Sequence, residues 1–129
     1  PEITDSAKVN VARLAGRYLA LAETPMQVEF DPETLASAGV FTWEPTPVGQ
    51  MTTVHPQVDE VRGEAVNLVT RYGAFSQYRF YALRGAAASP RRVGHVGVSQ
   101  PGYLHSFGMS ARYLVLAEFP LTVQPVRLL

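Results

Sequence analysis

Apolar and polar positions alternate with a period of two along most of the chain. In "AKVNVARL", Val9 and Val11 are set between polar neighbours, the pattern of a half-buried strand. A turn at Ala15-Gly16 precedes "RYLALAE", Pro25 interrupts, and "MQVEF" alternates again. "DPET" supplies turn chemistry: the Asp31 side chain bonds the backbone ahead of it, and Pro32 presets φ at the second turn position. The same pattern predicts strands in "EAVNLVTRY", "QYRFYAL", "RRVGHVGV", "RYLVLAE" and "LTVQPVRL". "GAAASP" reads as a loop, "DPETLASAG" forms one turn at most, and no long amphipathic helix is expected. The expected fold class is all-β, with residues 1–129 forming one unit built from antiparallel four-stranded sheets or parts of them.

An internal echo sharpens that picture. "RYLALAETPMQV" from Arg17 to Val28 reappears as "RYLVLAEFPLTV" from Arg112 to Val123. Each copy reads strand, Glu-x-Pro, strand, with Arg-Tyr-Leu and Glu-x-Pro in register. A repeat at that spacing fits two blade-like sheets separated by a third. The two copies should therefore lie in different sheets.

Composition bounds what such sheets do. Apolar residues make up 47% and charged residues 17%; the low charge suits a piece that expects neighbours. Lys plus Arg equal Asp plus Glu at 11 each, so no basic field points to nucleic acid. Cysteine is missing, which excludes disulfides, thiolate metal sites and cysteine nucleophiles. It also fits a reducing, cytoplasmic setting. No apolar run approaches a bilayer span, and no signal-peptide pattern opens the chain. Both ends are strand-like and the first residue is Pro1, so the chain is expected to be an internal segment of a longer one.

Three histidines are the candidates for chemistry. His55 ends the strand-like "MTTV", Pro56 then stops ladder pairing, Asp59 to Gly63 form a turn, and a new strand starts at Glu64. His105 opens the stretch that leads into "RYLVLAE". Two histidines on separate strands converge readily at a barrel mouth or a propeller axis, where imidazole is the commonest metal ligand. A lone histidine at a strand end is nonetheless usually a hydrogen-bonded filler. His95, between Gly94 and Val96, reads as one. Glu23 lies just before Pro25 and has Glu118 as its counterpart. A buried Glu needs a partner, and metal-bound histidines usually donate their outer N–H to a carboxylate. No serine triad, phosphate loop or dinucleotide fingerprint is present.

At these residues the chain resembles a known family, the carotenoid cleavage oxygenases. "PGYLHSFGMSARYLVLAEFPL" is similar to the family's Tyr-x-His-Ser/Asp-Phe-x-x-Thr/Ser-x-x-Tyr segment leading to Glu-x-Pro. Here those positions are Tyr103, His105, Ser106, Phe107, Ser110, Tyr113, Glu118 and Pro120. "VHPQVDEVRGEAVNL" is similar to its Ala-His-Pro, Asp, Gly-Glu and Asn segment, and "LAETPMQVEFDPETL" to its Glu-Thr/Asn segment with an Asp-Pro-x-Thr-Leu turn. The three occur in the family's order and span about Val9 to Leu129.

The resemblance implies a seven-bladed β-propeller, of which this chain supplies two to three blades. It implies an axial non-haem Fe(II) held by four histidines. By match, His55 and His105 are two of those metal ligands, Glu23 accepts a hydrogen bond from His105, and Tyr103 and Phe107 line the substrate cavity. No residue is matched to a direct catalytic role, and His95 matches no ligand. Ala22 stands where some members carry Thr, and Val54 where many carry Ala. The implied reaction is cleavage of a conjugated carbon–carbon double bond by O2. Its substrate is a carotenoid, apocarotenoid or stilbene, an apolar rod lying in a tunnel. Two ligands and the remaining blades belong to the rest of the parent, so the chain alone is expected to be inactive and prone to self-association. Contact with a membrane surface belongs to regions outside the segment. The rival reading is a metal-free propeller scaffold or lipid-binding module; adventitious Zn2+ on two histidines is a weaker third.

Overall fold

The computed structural model describes residues 9–85 and 89–124. The described elements are all strands, joined by turns and irregular stretches. The first sheet is an antiparallel meander of β1 (Asn10–Leu14), β2 (Arg17–Leu21), β3 (Gln27–Phe30) and β4 (Ser37–Phe41). Its first hairpin turns on two residues, Ala15 and Gly16, both with positive φ (50° and 80°). That is the combination that matches the twist of the flanking strands. Asp31 shapes the β3–β4 turn as its sequence predicts: its Oδ1 accepts from the amides of Glu33 and Thr34 and from the Thr34 hydroxyl at 2.8–3.0 Å.

The second sheet has β7 (Glu64–Arg71), β8 (Ser76–Arg84) and β9 (Arg91–Val98) in sequence. Two short strands, β5 (Met51–Thr52) and β6 (Gln57–Asp59), both pair with β7. The expected turn before Glu64 is present, with Arg62 donating its amide to Asp59 Oδ1 and Gly63 at φ 61°. β7 is buried on both faces, which its near-continuous apolar run "AVNLV" reflects. Toward the first sheet, Ala65, Val69, Tyr81 and Leu83 pack with Leu14, Leu19, Leu21, Trp43 and Val54. Toward the other side, Val66, Leu68, Tyr78, Phe80 and Ala82 pack with Leu104 and Phe107.

That second core carries the C-terminal layer. There β10 (Gly108–Met109) and β11 (Leu114–Val115) form a small hairpin, and Gly102 bridges Thr122. "RYLALAE" and "RYLVLAE" lie in different sheets, as the repeat requires. The expected strands shrink here, however. Only Leu114–Val115 of "RYLVLAE" is in a ladder, because its partner β10 offers two residues. Of "LTVQPVRL" only the Thr122 bridge is seen, and residues 125–129 lie outside the described residues, as do 86–88 of the expected loop and 1–8, the first two positions of the expected first strand among them.

Candidate metal centre

His55 and His105 reach one locus from different layers. His55 sits between β5 and β6 at the rim of the second sheet; His105 lies in the extended stretch between Gly102 and β10. Their Nε2 atoms are 2.9 Å apart and the rings meet edge to face. His105 Nδ1 is 3.0 Å from Glu23 Oε1, and the same carboxylate oxygen accepts the Tyr103 hydroxyl. A carboxylate accepts only, so His105 presents its N–H at Nδ1 and a lone pair at Nε2. The bond to Glu23, with burial adding to it, pushes the Tyr103 phenol up to about 12.

Each arm is anchored from behind. The carbonyl of Glu23 accepts the Thr52 amide at 2.7 Å, joining the first sheet to the His55 segment. Asn10 Nδ2 donates to the Val54 carbonyl at 2.6 Å, and Gln57 Nε2 to that of His55 at 3.3 Å. On the other arm, the hydroxyl of fully buried Tyr78 accepts the Gly102 amide at 2.6 Å and donates to Glu118 Oε1 at 2.5 Å. Burial first, then Glu118, raises the Tyr78 phenol well above its ordinary 10.0.

Of the residues singled out from sequence, His55, His105, Glu23 and Tyr103 are therefore brought together. His95 stands apart, exposed on β9 opposite Arg79. Phe107, matched to the cavity wall, is instead buried in the second core, edge-on to Phe80 at 5.4 Å. It follows His105 by two residues, but Leu104 and Phe107 both plunge into that core while the histidine stays out. Tyr78 is a contributor that sequence reasoning did not assign. Alternation does mark Tyr78 as an inward position, but nothing local pairs it with Glu118, 40 residues on.

The donor set fits one cation. Two nitrogens each about 2.0–2.1 Å from a metal and at right angles lie about 3 Å apart, close to the observed gap. Neutral imidazole with its outer N–H on a carboxylate is the usual arrangement of a ligating histidine. Among the described residues, no cluster of three or more histidines and acids stands at a spacing that would hold a metal ion.

Known proteins share this framework. The family model for the retinal pigment epithelial membrane protein matches residues 1–129. A mitochondrial carotenoid-cleaving dioxygenase of Mustela putorius furo is 32% identical over 94% of this chain, which covers 24% of that protein. Lignostilbene dioxygenase of Pseudomonas brassicacearum superposes with a TM-score of 0.78 at 24% identity, over 98% of this chain and 27% of that one. Cobalt-substituted apocarotenoid oxygenase of Synechocystis superposes with a TM-score of 0.70 at 21% identity, over 84% and 24%. At those identities the two structures speak for the fold. The chain spans about a quarter of the length of the curated relatives it matches. The mitochondrial relative lends no support to a cytoplasmic setting, and no helix among the described residues is long and apolar enough to cross a membrane. With the model matching end to end, the chain belongs to the retinal pigment epithelial membrane protein family, that of the carotenoid cleavage oxygenases.

Proposed function

We propose that the chain is a segment of a metal-dependent dioxygenase that cleaves a conjugated carbon–carbon double bond of a carotenoid, apocarotenoid or stilbene, within a seven-bladed propeller. The observation that carries this reading is the 2.9 Å approach of His55 Nε2 to His105 Nε2, with Glu23 behind His105. A scaffold that had lost its chemistry has no need to bring two imidazole nitrogens from different layers to one point beside a carboxylate. The half-exposed His105 side chain and the exposed Phe75, Val93 and Val96 fit a segment that further blades cover.

Fe(II) is the resident metal in this reading, held by His55 and His105 with two further histidines from outside the segment. When bound it supplies a redox centre at which O2 is activated beside the substrate. The chain's own residues do the rest. Glu23 holds the His105 N–H, which fixes the ring's tautomer and rotation and raises its basicity. Tyr103 donates to the same oxygen, keeping Glu23 from swinging away, and its ring forms part of the wall against which an apolar substrate lies. The buried cores behind both arms keep the ligands from relaxing apart.

Iron content and turnover of the whole protein test this. His105→Ala and His55→Ala should each abolish iron retention and bleaching of a polyene or stilbene absorbance. Full iron occupancy in both variants would refute the reading. The isolated segment supplied with Fe(II) and O2 should not turn over; sustained cleavage would show that no outside ligands are needed.

A further inference from the structure

The second sheet contains a register change that sets His55 in place. β5 pairs Met51 with Thr70 and Thr52 with Val69; β6 resumes with Gln57 opposite Val66. Between them, two residues of β7, Asn67 and Leu68, face the four residues Thr53 to Pro56. The surplus cannot stay in a ladder and must leave it. Val54 goes into the core, completely buried, and His55 goes to the rim.

What opens the ladder is a side chain. The Thr53 amide still donates to the Leu68 carbonyl at 3.3 Å. In a regular antiparallel pair the Leu68 amide would return a bond to the Thr53 carbonyl. Here the Asn67 carboxamide stands between the two. Its Oδ1 accepts the Leu68 amide at 2.8 Å, and its Nδ2 donates to the Thr53 carbonyl at 3.0 Å. The same Oδ1 accepts the Thr53 hydroxyl at 2.6 Å, and Nδ2 reaches Thr52 Oγ1 at 3.4 Å. Asn67 is 4% exposed, so no water substitutes for these bonds at low cost. Both a donor and an acceptor are needed, two bonds from Cβ. Asp has the shape but no donor, Ser is too short, and Gln overshoots by a methylene.

We propose that Asn67 is the positioning residue of His55: its carboxamide, spliced into the β5–β7 ladder, sets the distance from His55 Nε2 to His105 Nε2 and thereby the affinity of the pair for a divalent cation. This rests on reading the two histidines as metal ligands. It assigns the second histidine's support to a neutral amide acting through the main chain, where His105 has a carboxylate acting on the ring itself.

The experiment uses the metal-free full-length protein titrated with Co2+, followed by the visible absorption of the bound ion, with thermal unfolding recorded alongside. Asn67→Asp should weaken Co2+ binding about 10- to 100-fold, the range for residues that orient ligands, and should alter the absorption bands. Leu83→Ala, in the same core but outside the amide network, is the stability control. It should lower the unfolding midpoint at least as much yet keep affinity and spectrum. Thr53→Val removes one bond to the carboxamide and should weaken binding severalfold; it carries the test if Asn67→Asp does not fold. Wild-type Co2+ affinity in whichever of Asn67→Asp and Thr53→Val folds overturns the proposal, as does an equal loss in Leu83→Ala. Unchanged binding in His55→Ala and His105→Ala overturns the metal reading beneath it and so is a distinguishable failure.

Discussion

Two tyrosines donate to the two echoing glutamates, and their hydroxyls should differ greatly in what they contribute. Tyr78→Phe deletes an oxygen that accepts the Gly102 amide inside a fully buried environment. The orphaned N–H costs about 1–3 kcal/mol. Glu118 is exposed and recovers water, so its lost bond adds little. The sum is about 2 kcal/mol, or about thirtyfold in a local opening equilibrium. Tyr103→Phe deletes a donor to Glu23, which keeps His105 as a partner and is partly open to water; about 0–1 kcal/mol follows. Amide hydrogen exchange of the peptide over residues 101–105, read by mass spectrometry on the full-length protein, measures both. Exchange should quicken about thirtyfold in Tyr78→Phe and less than about fivefold in Tyr103→Phe. Equal effects, or an unchanged rate in Tyr78→Phe, would refute the assignment of Tyr78 as the clamp on the His105 segment.

The same phenol makes stability depend on alkaline pH. Because Tyr78 is held above its ordinary 10.0 in the folded chain, its contribution is complete below pH 10. It is lost as pH rises further, where the unfolded chain releases the proton first. Thermal midpoints should fall more steeply above pH 10 in the wild type than in Tyr78→Phe; parallel curves would contradict this. Gly49→Ala should destabilise by about 1–3 kcal/mol or more, since its Cβ would lie 2.4 Å from Val69 Cγ2 and 2.7 Å from the Thr70 carbonyl oxygen. A thermal midpoint equal to wild type would show that the rim of β7 yields more than its packing implies.

Where a segment's partners are local, the sequence made its structure plain. Ala15-Gly16 and Asp31 to Thr34 form the turns their residue types dictate, and β7 to β9 form where the strand patterns "EAVNLVTRY", "QYRFYAL" and "RRVGHVGV" placed them. Where pairing depends on distant chain, alternation overstated it. "RYLVLAE" has the pattern of "RYLALAE", yet β2 has β1 and β3 on either side while β11 has only two residues of β10. Strand propensity describes a surface that fits a sheet; it does not supply the neighbour. The convergence of Glu23, His55 and His105 was legible through resemblance, because their contacts span 82 and 50 residues and no local pattern joins them. Phe107 shows the limit of that route. Its place in a motif says nothing of whether its ring faces a cavity or, as here, the Phe80 side of a core. Asn67 sits in "EAVNLV" as the one polar residue in an apolar run, and that exception was the available signal.

Residue 23 is joined to both arms of the histidine pair, by its carbonyl to Thr52 and by its carboxylate to His105. The loop after β2 thus touches both other layers through one residue, beside the core and the Asn10–Val54 bond that already join the first sheet to the second. If the layers shear, the two imidazoles travel with different layers and their gap changes in step. The pair therefore works as a strain gauge for the stacking of the sheets. On the metal reading proposed above, a cation that prefers one gap pulls the layers into one alignment, and a badly stacked assembly loses its ion.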